Sequence, residues 1–510
     1  MSIIKLESVF SKHMVLQRQK PIYIWGTYDG QEEMEAELNG VTVSVNISEG
    51  AWKAVFPPME AAKDLTLVIR TEKESISVED VAIGEVWIAG GQSNMEFYMK
   101  YDSHFAEEVA RTQNVDIRFF DVPELCYPGH EKDQDFSKMG FWRICNAENL
   151  EYYSAVAYYF AKHIQKELSV PVGIVGCNRG ESPVASWIPE VTVKKLAPVW
   201  CDDFKDSLNG KSEEESLEKY RTADIADRGN PFADDLNNQI CYGLSHEEQE
   251  KLLESMPEPS EEEMVTSFHT KPGCLFENML KKIVPYTARG IIWYQGETDS
   301  LHPEYFKKLW SEMIDCWREM WNEPLPFLSV QLAPFEQWLW CVGENFPKIR
   351  ASQYEVSKEK DQVYLISSSD AGMRYDIHPK NKKPIGIRLA LCAEKYIYGR
   401  AVTADAPIGT ECYRDGNDLC IRFVCDTDTL LLKGDHMPAL QLLYIENGTE
   451  KQADLDDVKY EIDGTVLILK DLYEKGVRSY KVSLAETDYY EMNLYSEAEI
   501  PAMPFSSIVK

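Results

Sequence analysis

From about residue 82 onward, the sequence alternates short apolar runs with longer amphipathic stretches. Five of the apolar runs are typical of buried parallel strands: VAIGEVWIAG, VPVGIVGC, ARGIIWYQG, LPFLSVQL and DQVYLISS. Helical patterns separate them, including YSAVAYYFAKHIQKEL and EYFKKLWSEMIDCWREMW. Because strands alternate with helices, we predict an α/β layered domain with a mostly parallel sheet.

The two ends of the chain have a different pattern. Residues 1–80 alternate strand-like runs with turns and show no convincing helix, which predicts a β-sandwich or jelly-roll module. Residues 399–510 again contain strand-like runs and predict a second β-module. The α/β domain then spans residues 81–398. An acidic segment at about 195–272 interrupts it, and we interpret this segment as an insertion at the rim of the site with a solvated, charged surface.

Composition narrows the kinds of partner. The chain has 510 residues, 44% of them hydrophobic, and a formal net charge of -32, which disfavours nucleic acid and anionic lipid as partners. No signal peptide or membrane span is recognisable, so we expect a cytoplasmic protein. The 12 cysteines show no metal-type spacing, and we expect reduced thiols and no cofactor. A homo-oligomer is compatible with the sequence.

Polar residues follow the predicted strands directly, and the ligand site of an open parallel sheet lies at that edge. Ser93 comes after the first strand of the domain, within GGQSNME. The other candidates after later strands are Arg179, Gly180, Gln295, Glu297, Asp299, Asp370, Asp376 and His378. We therefore expect a site that combines a hydroxyl, a glycine, a neutral amide and an Asp/His pair.

These residue types suit acyl transfer. A serine hydroxyl needs a base, which His378 can supply, and a carboxylate on the other ring nitrogen fixes the imidazole tautomer. The oxyanion needs donors, and the backbone N–H groups of Ser93 and Gly180 and the side-chain amide of Gln295 are candidates. Each residue also has an ordinary explanation in a turn or loop. The prediction rests on their joint occurrence at strand ends.

Two carboxylates compete for the role of orienting His378. Asp376 lies two residues before the histidine and reaches its Nδ1 atom only if the loop turns back on itself. Asp370 directly follows the last strand and has a structural alternative, which is to brace the loop. We predict Asp376, while Asp370 and a bare Ser–His pair remain alternatives.

The segments GGQSNME, VPVGIV, GIIWYQGETD and DIHPKNK together resemble the sialate O-acetylesterase family, a branch of the SGNH (GDSL-type) hydrolases. The likeness runs in blocks from about residue 9 to 395. The G-x-S-x-G elbow of ordinary α/β-hydrolases is missing, because Met95 occupies the position of its second glycine. The resemblance implies a three-layer, flavodoxin-like SGNH domain flanked by β-modules.

The resemblance also implies roles for individual residues. Ser93 matches the nucleophile, His378 the base and Gly180 the oxyanion glycine, while the QGE around Gln295 completes the oxyanion hole. The chain departs from the family pattern at Arg179, where a tryptophan is common, and at Glu181, where a second glycine is common. Both changes affect the shape of the pocket and the substrate.

We therefore predict a carbohydrate O-acetylesterase that acts through an acetyl-serine, with sialic acid as the leading substrate. Arg179 is then a candidate for binding the sugar carboxylate, and its alternative is a structural ion pair with Glu181 or another acid. We place Glu297 among the substrate-binding residues as well. The alternatives are an esterase for acetylxylan or another plant glycan, and a carbohydrate-binding protein with a degenerate hydrolase core.

Overall fold

The computed structural model describes residues 3–133, 136, 139–222, 239–255, 266–446, 449–455, 457–473 and 481–510. It is an α/β protein with mixed sheets. The chain forms two compact units, Met1–Asp299 with Tyr305–Phe327, and Ser300–Glu304 with Leu328–Lys510. The division into domains at 80/81 and 398/399 stays a prediction. Of the predicted insertion, 223–238 and 256–265 lie outside the described residues.

The strands up to residue 294 are β1 (Ile4–Leu6), β2 (Val15–Gln17), β3 (Ile22–Tyr28), β4 (Glu35–Leu38), β5 (Val41–Ser44), β6 (Asn46–Ser48), β7 (Ala51–Phe56), β8 (Ala62–Arg70), β9 (Ser75–Gly91), β10 (Gln113–Asp121), β11 (Trp142–Asn146), β12 (Val172–Asn178) and β13 (Gly290–Tyr294). The α-helices up to residue 321 are α1 (Ser93–Glu96), α2 (Phe105–Val109), α3 (His130–Asp133), α4 (Ala155–Leu168), α5 (Glu190–Leu196), α6 (Val199–Ser207), α7 (Glu213–Thr222), α8 (His246–Ser255), α9 (Lys281–Ile283) and α10 (Pro303–Trp321). Single turns of other helix types include Val184–Trp187, Gln239–Gly243 and Phe268–Thr270.

The N-terminal strands have the alternating burial of sheets that face a core on one side. In β7, every second residue is buried, beginning with Trp52 and ending with Phe56. This strand lies in an antiparallel sheet with the order β1-β3-β7-β6. The alternation read from the sequence therefore corresponds to a sheet with one solvated face.

Strand β9 pairs with several other strands of the first unit. Its N-terminal half pairs antiparallel with β8, and its C-terminal half pairs parallel with both β12 and β13. From Val81 to Gly91 every residue of β9 is buried. In register, Gly91 stands opposite Asn178 of β12 and Tyr294 of β13. The loops that follow these three strands therefore start at the same edge of the sheet.

The strands of the rest of the chain are β14 (Phe327–Val330), β15 (Gln337–Trp338), β16 (Cys341–Val342), β17 (Val363–Ile366), β18 (Ile408–Asp415), β19 (Asp418–Val424), β20 (Leu430–Leu432), β21 (Leu440–Glu446), β22 (Thr449–Gln452), β23 (Lys459–Asp463), β24 (Val466–Lys470), β25 (Lys481–Leu484), β26 (Leu494–Ser496) and β27 (Phe505–Ile508). The helices are α11 (Phe346–Glu359) and α12 (Lys383–Tyr396). The sheets β18-β19-β24-β23 and β22-β21-β25-β27 surround a core that includes Leu419, Leu442, Leu467 and Val482. Within the described part of the chain, every helix is too short or too polar to cross a membrane.

Candidate active site

Ser93 lies where β9 ends and a single helical turn begins. It is the first residue of α1, and the backbone N–H of Phe97 donates to its carbonyl oxygen at 2.8 Å. The preceding residue, Gln92, donates its backbone N–H to the Tyr294 carbonyl of β13 at 3.1 Å. Ser93 retains only 7% of its accessible surface. The nucleophile candidate is thus at the carboxyl edge of the parallel strands, where it was predicted to be.

The side chains on either side of Ser93 hold the loop that follows β13. Asn94 donates its side-chain amide to Glu297 Oε1 at 2.5 Å. Gln92 Oε1 accepts the backbone N–H groups of Gly296 at 3.3 Å and Thr298 at 3.4 Å. Glu297, which we predicted to bind substrate, therefore braces the Ser93 loop in this structure.

Gly180 lies beside Ser93, in the loop after β12. A Cβ atom on Gly180 would be 3.6 Å from the Ser93 Cβ and 3.3 Å from Glu96 Oε2. The backbone N–H of Gly180 donates to Glu96 Oε2 at 2.5 Å. Glu96 follows Ser93 by three residues in α1, and residues at this spacing share a helix face. The Gly180 N–H, a predicted oxyanion donor, is therefore next to the serine, but it already donates to the Glu96 carboxylate.

Gln295, the third predicted oxyanion donor, also donates to a carboxylate. Its side-chain Nε2 donates to Asp299 Oδ2, and lies 3.3 Å from the Ser182 carbonyl oxygen, to which it also donates. Asp299 is fully buried and accepts the Val184 backbone N–H at 3.0 Å as well. A buried carboxylate is costly without donors, which explains why the amide turns toward it.

Arg179 forms an ion pair with an acid that the sequence analysis did not single out. Its Nε atom lies 3.2 Å from Glu124 Oε2, and both side chains are almost fully buried. Burial and the neighbouring Glu96 raise the pKa of Glu124 well above its usual range. Burial opposes the charge of Arg179, yet Glu124 and Glu96 raise the pKa of its guanidinium. Of the two alternatives for Arg179, the structure shows the ion pair, with Glu124 as its partner.

Glu181 meets a second residue that sequence reasoning missed. Its backbone has a φ of 58°, a left-handed conformation that fits the glycine common at this position in the family. The carboxylate Oε2 lies 3.3 Å from Nε2 of the buried His269, which comes from the predicted insertion. Burial and Arg179 lower the pKa of that imidazole. No spacing in the sequence connects these two residues.

In the second unit, Asp376 binds the backbone of His378. Its Oδ1 atom accepts the His378 backbone N–H at 2.8 Å, and its Oδ2 atom lies 2.9 Å from Lys380 Nζ. Burial raises the pKa of this carboxyl. The buried imidazole packs edge-on against Trp338, with ring centroids 5.2 Å apart. The loop does turn back toward the histidine, and the contact that it makes is with the main chain.

Asp370, the other candidate for the orienting acid, binds the side chain of an arginine in helix α12. It forms a two-pronged ion pair with Arg388, at 2.7 Å and 2.8 Å. The predicted site residues fall in both units. Ser93, Arg179, Gly180, Gln295 and Glu297 belong to the first unit, and Asp370, Asp376 and His378 belong to the second. The pairing of Ser93 with His378 and the choice of the orienting acid stay predictions.

Comparison with known proteins bears on the chemistry of this site. Residues 262–393 match a family model described as carbohydrate esterase, sialic acid-specific acetylesterase. Human sialate O-acetylesterase is 23% identical in an alignment of 443 residues that covers 79% of this chain and 73% of that protein. The chain resembles the sialate O-acetylesterases. This confirms the resemblance inferred from the motifs, and the mouse enzyme gives the same identity over 79% of this chain and 75% of its own.

A solved structure shares the fold. The carbohydrate acetylesterase from Xanthomonas citri matches 99% of this chain and 99% of its own length, with a TM-score of 0.73. The two sequences are 23% identical. At this identity the similarity establishes the architecture, and the chemistry has to be argued from the site.

Proposed function

We propose that this carboxylic ester hydrolase is a carbohydrate O-acetylesterase, with O-acetylated sialic acid as the leading substrate. The observation that carries the proposal is the placement of Ser93 on the first turn after β9, with Gly180 beside it. The family match and the names of the curated relatives support the choice of an acetyl ester on a sugar. With this function we propose a three-layer, flavodoxin-like SGNH domain that has a mostly parallel sheet and flanking jelly-roll modules.

The proposed reaction has two steps. Ser93 Oγ attacks the acetyl carbonyl carbon and passes its proton to His378, which protonates the departing sugar oxygen as the ester bond breaks. Water then attacks the acetyl-serine and passes a proton to His378. Acetate leaves, and the proton returns to Ser93. We expect no metal or organic cofactor in either step.

The oxyanion donors in this proposal differ in how available they are. The Ser93 backbone N–H lies at the start of α1 and is the first candidate. Gly180 and Gln295 can contribute only if the oxyanion shares or replaces their present acceptors, Glu96 and Asp299. The negative charge that develops on the oxyanion makes it a strong acceptor, because hydrogen bonds to ionised groups are stronger than those to neutral ones.

The test is acetate release from O-acetylated sialic acids, acetylated xylo-oligosaccharides and p-nitrophenyl acetate. We expect Ser93→Ala to lose roughly 10³-fold or more in kcat, because attack and proton transfer both use that oxygen. Its melting temperature should stay near that of the wild type. Ser483→Ala is the matched control, since Ser483 is also buried but donates to Glu486 in the C-terminal β-module.

The outcomes separate the alternatives. Activity that persists within tenfold in Ser93→Ala contradicts the mechanism. Release from xylo-oligosaccharides alone favours the plant-glycan esterase, and no release from any substrate favours a non-catalytic binding protein. Loss of activity in EDTA that zinc restores indicates a metal-dependent deacetylase instead.

A further inference from the structure

Glu96 connects three segments that are distant in sequence. Its Oε2 atom accepts the Gly180 N–H, and its Oε1 atom accepts the hydroxyl groups of Tyr98 at 3.1 Å and Tyr242 at 3.0 Å. Tyr98 follows the nucleophile turn, and Tyr242 lies in the helical turn Gln239–Gly243 of the acidic insertion. One buried carboxylate therefore joins the nucleophile turn, the loop after β12 and the insertion.

Tyr242 is buried among aromatic rings where its hydroxyl donates to Glu96. It is 4% exposed, and its ring packs against Phe97, Tyr98 and Tyr101 with centroid distances of 5.6, 5.8 and 5.7 Å. Burial and the negative charge of Glu96 raise the pKa of its phenol well above the usual value. The hydroxyl therefore remains protonated at neutral pH and can keep donating to Glu96.

The surroundings of Gly180 include the same residues, Glu96 and Tyr242. A Cβ atom at this glycine would lie 3.3 Å from Glu96 Oε2, 3.5 Å from Tyr242 Oη and 3.6 Å from the Ser93 Cβ. The carboxylate, the insertion tyrosine and the serine therefore all lie close to Gly180. Small movements of Glu96 will be passed on to a peptide group beside Ser93.

We propose that Tyr242 and Glu96 are positioning residues that hold the Gly180 peptide next to Ser93, so that the insertion contributes to the rate of the chemical step. This inference rests on the proposed function. Tyr242 orients the Glu96 carboxylate, and the carboxylate orients the Gly180 N–H. Preorganised donors raise the rate only when their supporting contacts keep them in place. The insertion then shapes the site in addition to presenting a charged surface.

The test compares Tyr242→Phe with Tyr220→Phe. Both changes remove one hydroxyl from a buried tyrosine of the insertion, but Tyr220 packs on Tyr127 and Phe268 instead of binding Glu96. We expect Tyr242→Phe to lower kcat about tenfold, as for loss of one hydrogen bond to a charged group, with KM within about twofold. Tyr220→Phe should leave kcat within about twofold.

Amide hydrogen exchange supplies a readout that does not depend on activity. We expect the peptide that contains Gly180 to exchange faster in Tyr242→Phe than in the wild type, and at the wild-type rate in Tyr220→Phe. Glu96→Gln keeps an acceptor but removes the charge, and should lower kcat. Adding Tyr242→Phe to Glu96→Gln should then lower kcat little further, because both changes act through the same hydrogen bonds to residue 96.

Three results overturn the inference: equal exchange at Gly180 in the two tyrosine variants, equal kcat in both, or a higher kcat in Glu96→Gln. The last result means that the carboxylate competes with the oxyanion for the Gly180 N–H. Failure of the proposed function looks different. In that case the wild type releases no acetate or Ser93→Ala keeps its activity. The exchange experiment still tests whether Tyr242 and Glu96 hold the Gly180 peptide in place.

Discussion

Two buried acids near Ser93 each accept several hydrogen bonds. Glu96 accepts from Gly180, Tyr98 and Tyr242, and Asp299 accepts from Gln295 and Val184. Removing a carboxylate from water is costly, and only hydrogen bonds or an opposite charge offset that cost. This need explains why two of the three predicted oxyanion donors, Gly180 and Gln295, already have acceptors.

Arg179 permits a direct test of ion pair against substrate binding. Arg179→Leu removes the guanidinium that pairs with the buried Glu124 carboxyl, so we expect a loss of about 1–3 kcal/mol in the free energy of unfolding, measured by urea denaturation. The double variant Arg179→Leu, Glu124→Leu should recover much of that loss. An Arg179→Leu variant with wild-type stability and a raised KM for sialate esters alone would instead assign the arginine to the substrate.

The two candidate orienting acids should respond differently to amide replacement. We expect Asp376→Asn to reduce kcat by at least ~10²-fold while the protein stays folded, because an acid that orients the imidazole acts on the chemical step. Asp370→Asn breaks the two-pronged pair with Arg388 and should lower the melting temperature with little effect on kcat. The reverse pattern assigns the orienting role to Asp370, and no effect on kcat from either variant favours a bare Ser–His pair.

The C-terminal end of β9 requires glycine at position 91. Gly91 has a φ of 137°, and a Cβ atom there would lie 2.1 Å from the Tyr294 carbonyl oxygen of β13. Only glycine combines that backbone conformation with so close an approach. The pair of glycines before Gln92 therefore lets the chain leave the sheet and begin α1 at Ser93.

Replacing Gly91 should accordingly cost far more than replacing a glycine in an open turn. We expect Gly91→Ala to lower the free energy of unfolding by at least about 3 kcal/mol, since it combines strain with a backbone clash. Gly40→Ala is the matched control: φ is 75° there and a Cβ atom would meet nothing within 4 Å. It should cost about 1–2 kcal/mol. Equal losses in the two variants would show that the close approach at Gly91 is not limiting.

The acidic insertion combines a charged surface with buried aromatic side chains. Its composition predicts a solvated surface, and helix α7 does begin with three glutamates. Its described residues nevertheless include the buried side chains of Trp200, Phe204, Tyr220, Tyr242 and Phe268. Acidic residues dominate the average composition, while a few aromatic residues hold the segment against the rest of the first unit.

At the scale of the whole molecule, the two compact units are divided at different places from the predicted domains. The sequence pattern changes at about residue 80, because alternating burial gives way to continuous burial there. The backbone of β9 continues unbroken from Ser75 to Gly91 across that point. The change in hydrophobic pattern at about residue 80 therefore corresponds to a change in burial within β9, from a partly exposed half to a fully buried half.

The sequence by itself determined the elements and the edge at which the candidate site lies. Apolar periodicity depends on local burial, so β9, β12, β13, α4 and α10 lie where the patterns predict them. Ser93, Gly180 and Gln295 follow parallel strands, and parallel strands end at one edge.

Only the tertiary structure decided the partner of each buried polar group. Arg179 meets Glu124, Gly180 meets Glu96, and Gln295 meets Asp299. The Tyr242 hydroxyl reaches Glu96 from a segment far along the chain. Such pairings leave no periodic trace in the sequence, because they depend on which side chains the packed elements bring within about 3 Å of each other.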